Sequence, residues 1–308
     1  MAQTRRIDLF IIKKCCNRCI FCSERNKLDG SELSFAKIKN ILVAERSRGA
    51  NLVHFVGGEP TLHTHFPEIL KLSKALQYNT FIISNAIMFS SYEFCIRTLP
   101  YLDEIMISIH GHNNKIHSIN TRNPAAFMSV LQGMKNLQKY YKGRLQATTA
   151  ITNLNYRFLA KIAELIHNFG ITEYQCMSIV PTGEGSRTFY EIFPKFSVLS
   201  PHIINAIRFC ELKNIKIRFS GIPMCILGDR YAYSYDLWEP FKIDNRKDHD
   251  GAIRLWNEPH TYVENNFKID IGRIKTRKCR QCLKNSVCGG VYKKYFLKYS
   301  DDELIPFK

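Results

Sequence analysis

The sequence predicts an α/β fold built on a parallel sheet. Two observations carry this. Short β-rich runs alternate with longer helical ones from Arg6 to about Ile179, and every chemically unusual cluster in that stretch falls just after a strand candidate. Repeated βα units place their strands side by side and parallel, with the helices as crossovers. A partial barrel and an open doubly wound sheet both fit this alternation.

The strand candidates are "RIDLFII" (6–12), "LVHFV" (52–56), "NTFIIS" (79–84), "EIMISIH" (104–110), "LQATTAIT" (145–152) and "EYQCMSIV" (173–180). Between them lie "SFAKIKNILVAERSRG", "HFPEILKLSKALQ", "SYEFCIRTL", "PAAFMSVLQGMKNLQKYY" and "NYRFLAKIAELIHNFG". Each has apolar residues at helical spacing, and several are closed by glycine or a turn. After about Leu199, "SPHIINAIRFCELKN" reads as one more helix and "IKIRFSGIP" as one more strand. A long aromatic and polar stretch follows, with a faint echo between "LWEP" (237–240) and "LWNEP" (255–259) that is too short to establish a repeat. The expected division is a core over 1–211 and a small module over 212–308.

Composition narrows the class. With 308 residues, 45% hydrophobic and 23% charged, the chain can bury a core without disulfides. The N-terminal apolar run, Leu9–Ile12 behind Asp8, is too short for a signal peptide, and no stretch approaches the ~20 apolar residues of a membrane span. A cytoplasmic protein with no membrane partner is the expectation. Eleven cysteines in clusters then point to metal binding or chemistry rather than disulfides. Over half of the +17 net charge lies between Lys268 and Lys298, where ten Lys or Arg face one acid, Asp270. That bias suits an acidic partner or an anionic cofactor, or is simply a solvated basic surface.

The first cysteine cluster, "KKCCNRCIFCSE" (13–24), follows the first strand. Cys15, Cys19 and Cys22 have C-x3-C-x2-C spacing, which lets three thiolates converge on one inorganic object. Zinc would want a fourth ligand, and adjacent Cys16 is poorly placed to supply it. An iron–sulfur cluster with one iron left open fits three ligands. At the far end, Cys279, Cys282 and Cys288 with remote Cys225 supply four thiols, which suit zinc or a fully ligated [4Fe–4S] cluster. Cys16, Cys95, Cys176 and Cys210 are expected to be core fillers or bystanders.

With Phe21 before the last loop cysteine and "GGEP" after the second strand, residues 6–185 resemble the radical S-adenosylmethionine (SAM) enzymes. The resemblance implies a partial (β/α)6 TIM-like barrel followed by a small auxiliary-cluster module. It implies that Cys15, Cys19 and Cys22 hold a [4Fe–4S] cluster whose open iron chelates SAM. SAM would be cleaved by one electron to methionine and a 5′-deoxyadenosyl radical, which removes hydrogen from a substrate. By the same likeness Gly57, Gly58, Glu59 and Pro60 face the methionine, the last two offering acceptors to its ammonium. Ser84 and Asn85 face the methionine carboxylate or ribose, and Ser108 and His110 the ribose or substrate. Thr149, Ile151 and Asn153, with Val180 and its "PTGEG" turn, resemble the adenine-side wall. Taken singly, "GGEP" is a strand-to-helix turn, Gly58 the residue with conformations closed to others, and His110 and His112 are loop histidines.

The C-terminal cysteines resemble the twitch-type auxiliary module, shorter than the SPASM type, with "CGGVY" and "ELIPF" as further points of likeness. A second [4Fe–4S] cluster is the expectation, with zinc as the alternative. Its neighbouring lysines and arginines would offset cluster charge or dock a flavodoxin or ferredoxin-type electron donor. The substrate is expected to be a ribosomally made peptide, with a small molecule as the alternative. No N-terminal peptide-recognition domain is evident, so a separate recognition protein would serve. Nothing beyond charge supports a nucleic-acid partner. A two-zinc scaffold is the non-enzyme alternative, and it offers no reason for every motif to fall on one rim.

Overall fold

The computed structural model describes residues 6–238, 253–255 and 272–308. Residues 239–240 of "LWEP", 256–259 of "LWNEP" and most of the Tyr231–Tyr262 aromatic stretch lie outside the described residues.

Among the described residues, eight parallel strands form one sheet in the order β7-β6-β5-β4-β3-β2-β1-β8. They are β1 (Arg6–Ile12), β2 (Leu52–Gly57), β3 (Asn79–Ser84), β4 (Glu104–Ser108), β5 (Arg144–Ala150), β6 (Glu173–Met177), β7 (Lys216–Ser220) and β8 (Ile253–Leu255). The helices between them are α1 (Phe35–Ser47), α2 (Phe66–Ala75), α3 (Tyr92–Thr98), α4 (Asn114–Thr121), α5 (Ala126–Tyr140), α6 (Leu159–Asn168), α7 (Gly183–Ile192) and α8 (Phe196–Leu212). Two short helices follow β7, α9 (Met224–Leu227) and α10 (Tyr235–Trp238). Near the C-terminus β9 (Arg273–Ile274) and β10 (Val291–Tyr292) make a small antiparallel pair, closed by α11 (Lys293–Tyr299).

Strand alternation explains the architecture. Ile7, Leu9, Val53, Phe55, Ile82, Ile105, Ile107, Ala147, Ile217 and Phe219 are fully or almost fully buried against the helices. Their neighbours point to the other face, because successive side chains in a strand alternate. There Asp8, His54, Phe81 and Glu104 occupy the N-terminal end, with Arg6 donating to Asp8 at 2.6 Å and His54 stacked on Phe81. On the same face at the C-terminal end, Val56, Ile83, Ser108, Ala150, Met177 and Ser220 are only half-buried. A closed base and an open mouth are what a partial barrel requires. An open doubly wound sheet would have buried both faces under helices.

β7, read from the sequence as one more strand but assigned to the C-terminal module, pairs with β6 and joins the core sheet, and β8, which the sequence did not suggest, pairs with the outer edge of β1. Two helices were not legible as such. α4 begins at the last residue of the "HGHNN" loop and runs through residues given no element from the sequence, and α7 begins within "PTGEG", read as a turn. Both carry glycines or polar residues where helical apolar spacing would have announced them.

The C-terminal helix is bolted to the core. Tyr295 accepts a hydrogen bond from the Phe196 amide at 2.8 Å, donates to Glu303, and stacks on the Phe196 ring. Lys294 and Lys298 donate to the α7 carbonyls of Ser186 and Tyr190, at 2.6 and 2.5 Å. Tyr295→Phe should therefore destabilise the chain by about 1–3 kcal/mol, since the buried Phe196 amide loses its acceptor. A denaturant midpoint equal to that of the parent would contradict this.

Candidate active site

The barrel mouth is organised around the loop carrying Cys15, Cys19 and Cys22. β1 does not end cleanly. Its register against β2 shifts between Phe10 and Ile12, and the chain then turns across the sheet edge. There Gly58 donates its amide to the Ile12 carbonyl (2.9 Å) and Glu59 to that of Lys14 (2.8 Å). A Cβ on Gly57 would lie 2.1 Å from the Ile12 oxygen, and one on Gly58 2.2 Å from the Lys14 oxygen. The glycines thus admit the protein's own backbone. The unusual conformation belongs to Gly57, with φ +141°, and not to Gly58 as the sequence suggested.

Distant segments clamp the rest of the loop. The amides of Arg18 and Ile20 donate to the carbonyls of Thr121 (2.9 Å) and Asn120 (3.0 Å) at the end of α4. Asn123 donates to the Cys16 carbonyl. On the other side, the first turn of α7 presents the amides of Glu184 and Gly185 to the Cys22 carbonyl, and Thr188 donates to that of Ile20 at 2.8 Å. Helix N-termini hold unpaired amides, so one is well suited to gripping a carbonyl. An ion pair from Arg122 to Glu184 (3.0 Å) ties the two clamps together. Apart from Glu184 and Gly185, which fall in the "PTGEG" turn and were assigned a different task, none of these residues was picked out from the sequence, because they lie about 100 to 170 positions away from the loop that they hold.

Glu59 sits at the centre of the mouth, fully buried. Its carboxylate accepts from Thr61 Oγ1 (2.6 Å), the Thr61 amide, Ser84 Oγ (2.8 Å) and the Asn85 amide (2.7 Å). Burial pushes its pKa up while these donors pull it down. The carboxylate therefore fastens the end of β2 to that of β3. Asn85 is held so that its side-chain nitrogen lies 3.2 Å from Cys16 Sγ and 3.9 Å from Cys15 Sγ. Pro60 is buried behind it, as the first residue of a short 3-10 turn.

The remaining predicted residues divide by what their polar atoms already do. Thr149 is buried, donates to the Ile109 carbonyl and accepts from Tyr174, so it serves the packing. Asn153 is exposed and caps the end of α7 through the Glu191 carbonyl. Val180 is half-buried at the turn into α7, and Ser108 is half-buried at the end of β4. His110 is buried and packed edge-on by Phe21, with ring centroids 4.6 Å apart. Burial drives its pKa well below the usual histidine value, so the ring is neutral. Its Nδ1 accepts from the Ala150 amide. Phe21 thus connects the cysteine loop to the end of β4.

The loop thiols are electrostatically suited to a cationic inorganic core. Burial pushes Cys19 up to about 12 and raises Cys22, while a hydrogen bond shared with Cys16, together with burial, raises Cys15. Buried thiols become thiolates only when a metal takes the proton's place. Of the four other cysteines, Cys95, Cys176 and Cys210 are buried core residues, and Cys16 is exposed.

At the opposite end of the chain, Cys225, Cys279, Cys282 and Cys288 line one cavity. Lys275, Lys278 and Lys284 share its wall, with Met224, Leu304 and Phe307. Cys225 arrives on α9, and the other three on the turns between β9 and β10. Among the described residues, no three His, Cys, Asp or Glu side chains close on a point as they would for a single metal ion. Four soft thiols lining one cavity, with cations in its wall, fit an iron–sulfur cube in donor chemistry and charge.

The family model of the radical SAM superfamily matches residues 9–167, just over half of the chain. The chain belongs to the radical SAM superfamily. It is therefore an enzyme of the class that binds an iron–sulfur cluster and SAM. The matched segment includes the three loop cysteines, the glycine pair, Glu59, Asn85 and His110. It ends before Val180 and the C-terminal cysteines.

Among curated relatives, a probable GTP 3′,8-cyclase of Saccharolobus islandicus is 27% identical over 180 residues, which is 57% of this chain and 58% of that protein. The chain thus matches a little over half the length of this relative. Among solved structures, Streptococcus suis SuiB bound to its precursor peptide SuiA is similar with a TM-score of 0.66 and 14% identity, covering 99% of this chain and 76% of SuiB. AnSMEcpe with AdoMet and a peptide has a TM-score of 0.53 at 17% identity, covering 70% of this chain and 63% of its own. These structural likenesses establish the radical SAM fold. No helix among the described residues is long and apolar enough to cross a membrane.

Glu59→Gln should loosen the mouth. An amide nitrogen would face donors where the carboxylate oxygen accepted them, at a cost of about 1–3 kcal/mol. Iron bound after anaerobic reconstitution should fall with it. Parent-like stability and iron content together would show that this carboxylate does not hold the loop.

Proposed function

We propose that this radical SAM enzyme matures a ribosomally made peptide, using a catalytic cluster on Cys15, Cys19 and Cys22 and an auxiliary [4Fe–4S] cluster on Cys225, Cys279, Cys282 and Cys288. The observation that carries the reading is the gathering of the last four cysteines around one cavity, on a chain whose three-cysteine loop is clamped at the barrel mouth. Residues 1–211 form the catalytic core. Residues 212–308 form a twitch-like module, from which β7 reaches back to extend the core sheet.

The bound catalytic cluster, given one electron by a flavodoxin or ferredoxin-type donor, would supply the reductive cleavage of SAM. The chain's own residues supply the geometry. Gly57 and Gly58 let the loop lie flat across β2, and Glu59 with Ser84 and Asn85 fixes the rim beside it. The Gly57–Pro60 backbone and Asn85 face the methionine end, and Phe21 with His110 and Ser108 faces the ribose and substrate. Thr149, Asn153 and Val180 shape the adenine side, the first two through their bonds to Ile109 and α7. With Nδ1 accepting from Ala150, a neutral His110 carries its proton on Nε2 and can donate one hydrogen bond there without adding charge to the mouth. Cys225, Cys279, Cys282 and Cys288 would hold the auxiliary cluster, which would supply a one-electron acceptor for a substrate radical, so that the net reaction is oxidation or bond formation. Lysines around the C-terminal cavity suit both an anionic cluster and an acidic electron donor. A separate peptide-recognition protein would present the substrate.

The peptide reading is supported by the likeness of almost the whole chain to SuiB, which is bound to a precursor peptide. A second reading, a small-molecule biosynthetic enzyme, is supported by the relatives named as probable GTP 3′,8-cyclases. Iron and sulfide counting on anaerobically purified protein tests the clusters. About eight irons are expected in the parent and about four in the Cys15, Cys19, Cys22→Ala variant, with 5′-deoxyadenosine formed only by the parent. Four irons plus zinc would replace the auxiliary cluster by a zinc site. Substrate class is then read by mass spectrometry. Hydrogen loss from a short peptide encoded beside the gene supports maturation, and consumption of a nucleotide instead supports the second reading.

A further inference from the structure

The C-terminal site contains an ion pair with a directional task. Arg273, the first residue of β9, meets Asp236 of α10 in a two-pronged contact, Nη1 to Oδ1 at 2.8 Å and Nη2 to Oδ2 at 2.7 Å. Both side chains are largely buried, at 13% and 14% exposure. Each also bonds the turn that follows Cys288. Arg273 Nε donates to the Gly290 carbonyl (3.1 Å), and the Gly289 amide donates to Asp236 Oδ2 (2.7 Å). The Gly290 amide in turn lies 3.4 Å from Cys288 Sγ, in donor geometry.

The two glycines record how tightly this is built. A Cβ on Gly289 would lie 2.2 Å from the guanidinium, and one on Gly290 2.2 Å from the Ile274 carbonyl, where φ is already +84°. A buried ion pair contributes little net stability against an apolar substitute of the same shape. What this pair supplies is the orientation of two consecutive peptide groups.

We propose that Asp236 and Arg273 are positioning residues for the C-terminal cysteine site. They fix the Cys288–Gly290 turn so that the Cys288 sulfur faces the cavity and receives the Gly290 amide. This rests on the reading that the four cysteines hold a metal centre. Hydrogen bonds to ligand sulfur and nearby positive charge both favour the reduced form of an iron–sulfur cluster. The pair therefore sets the potential of the centre as well as its retention.

The test uses the full-length chain in the Cys15, Cys19, Cys22→Ala background, where only the C-terminal centre remains. Arg273→Gln, Arg273→Lys and Gly289→Ala are compared by iron, sulfide and zinc content, chelator release and redox titration. Alkylation of Cys288 in the metal-free chain is followed by mass spectrometry. Release should be about 10-fold faster in Arg273→Gln, the usual scale for losing a group that orients a ligand. Its potential should move to more negative values, and Cys288 should alkylate faster while Cys225 keeps its rate. Arg273→Lys retains the charge and loses the fork, so it should behave as Arg273→Gln in release and alkylation. Gly289→Ala, which leaves both charges in place and displaces the guanidinium, should move the same way and keeps the test open if Arg273→Gln misfolds. Parent-like release and alkylation in Arg273→Lys and Gly289→Ala would overturn the positioning role. A background chain with neither iron nor zinc would overturn the metal-centre reading, and is recognised by metal content alone.

Discussion

The site depends first on one close approach of backbone to backbone. The carbonyls of Ile12 and Lys14, where β1 turns into the cysteine loop, lie against Gly57 and Gly58 at distances that exclude any Cβ. Two amide bonds from Gly58 and Glu59 close the contact. Without it the loop would leave the sheet at a different angle, and the clamps from α4 and α7 would have nothing to grip. The Glu59 carboxylate extends the same constraint sideways, since its four donors come from the ends of β2 and β3.

The architecture beneath follows from alternation. Apolar residues on one face of each strand bury the helices, and polar ones on the other line the barrel interior. At its base Arg6 pairs with Asp8, beside His54. The mouth is left to half-buried residues and the loop. The C-terminal helix braces α7 through Lys294 and Lys298, and α7 grips Cys22. Packing at the far end of the chain thus bears on the catalytic loop through a continuous series of contacts.

Strands β1 to β7 were legible because each carries its own short β-rich run, whereas the three-residue β8 and the two-residue β9 and β10 are too short to announce themselves. The cysteine motif was legible because its spacing is local. The glycine pair was also noticed, but its reason was not. The sequence suggests room for a ligand and an unusual backbone at Gly58, whereas the tight neighbour is the chain's own carbonyl and the unusual φ is at Gly57. Asn120, Asn123 and Thr188 could not have been found, since ordinary polar residues acquire their roles only when the fold brings them to the loop. Glu59 and Thr149 show the opposite lesson. Positions that attract attention through family resemblance turn out to spend their side chains on holding neighbouring strands. At the C-terminus, counting cysteines was enough to nominate four residues, but only the fold places them around one cavity with Asp236 and Arg273 behind Cys288.

The central claim is that the clamped loop presents three thiolates to a cluster with one iron left for SAM. Electron paramagnetic resonance of the anaerobically reduced protein, recorded with and without SAM, tests it most directly. SAM should change the signal of one cluster, and the change should vanish in the Cys15, Cys19, Cys22→Ala variant. A spectrum unaltered by SAM, or a change that survives the loss of those three cysteines, would contradict the account.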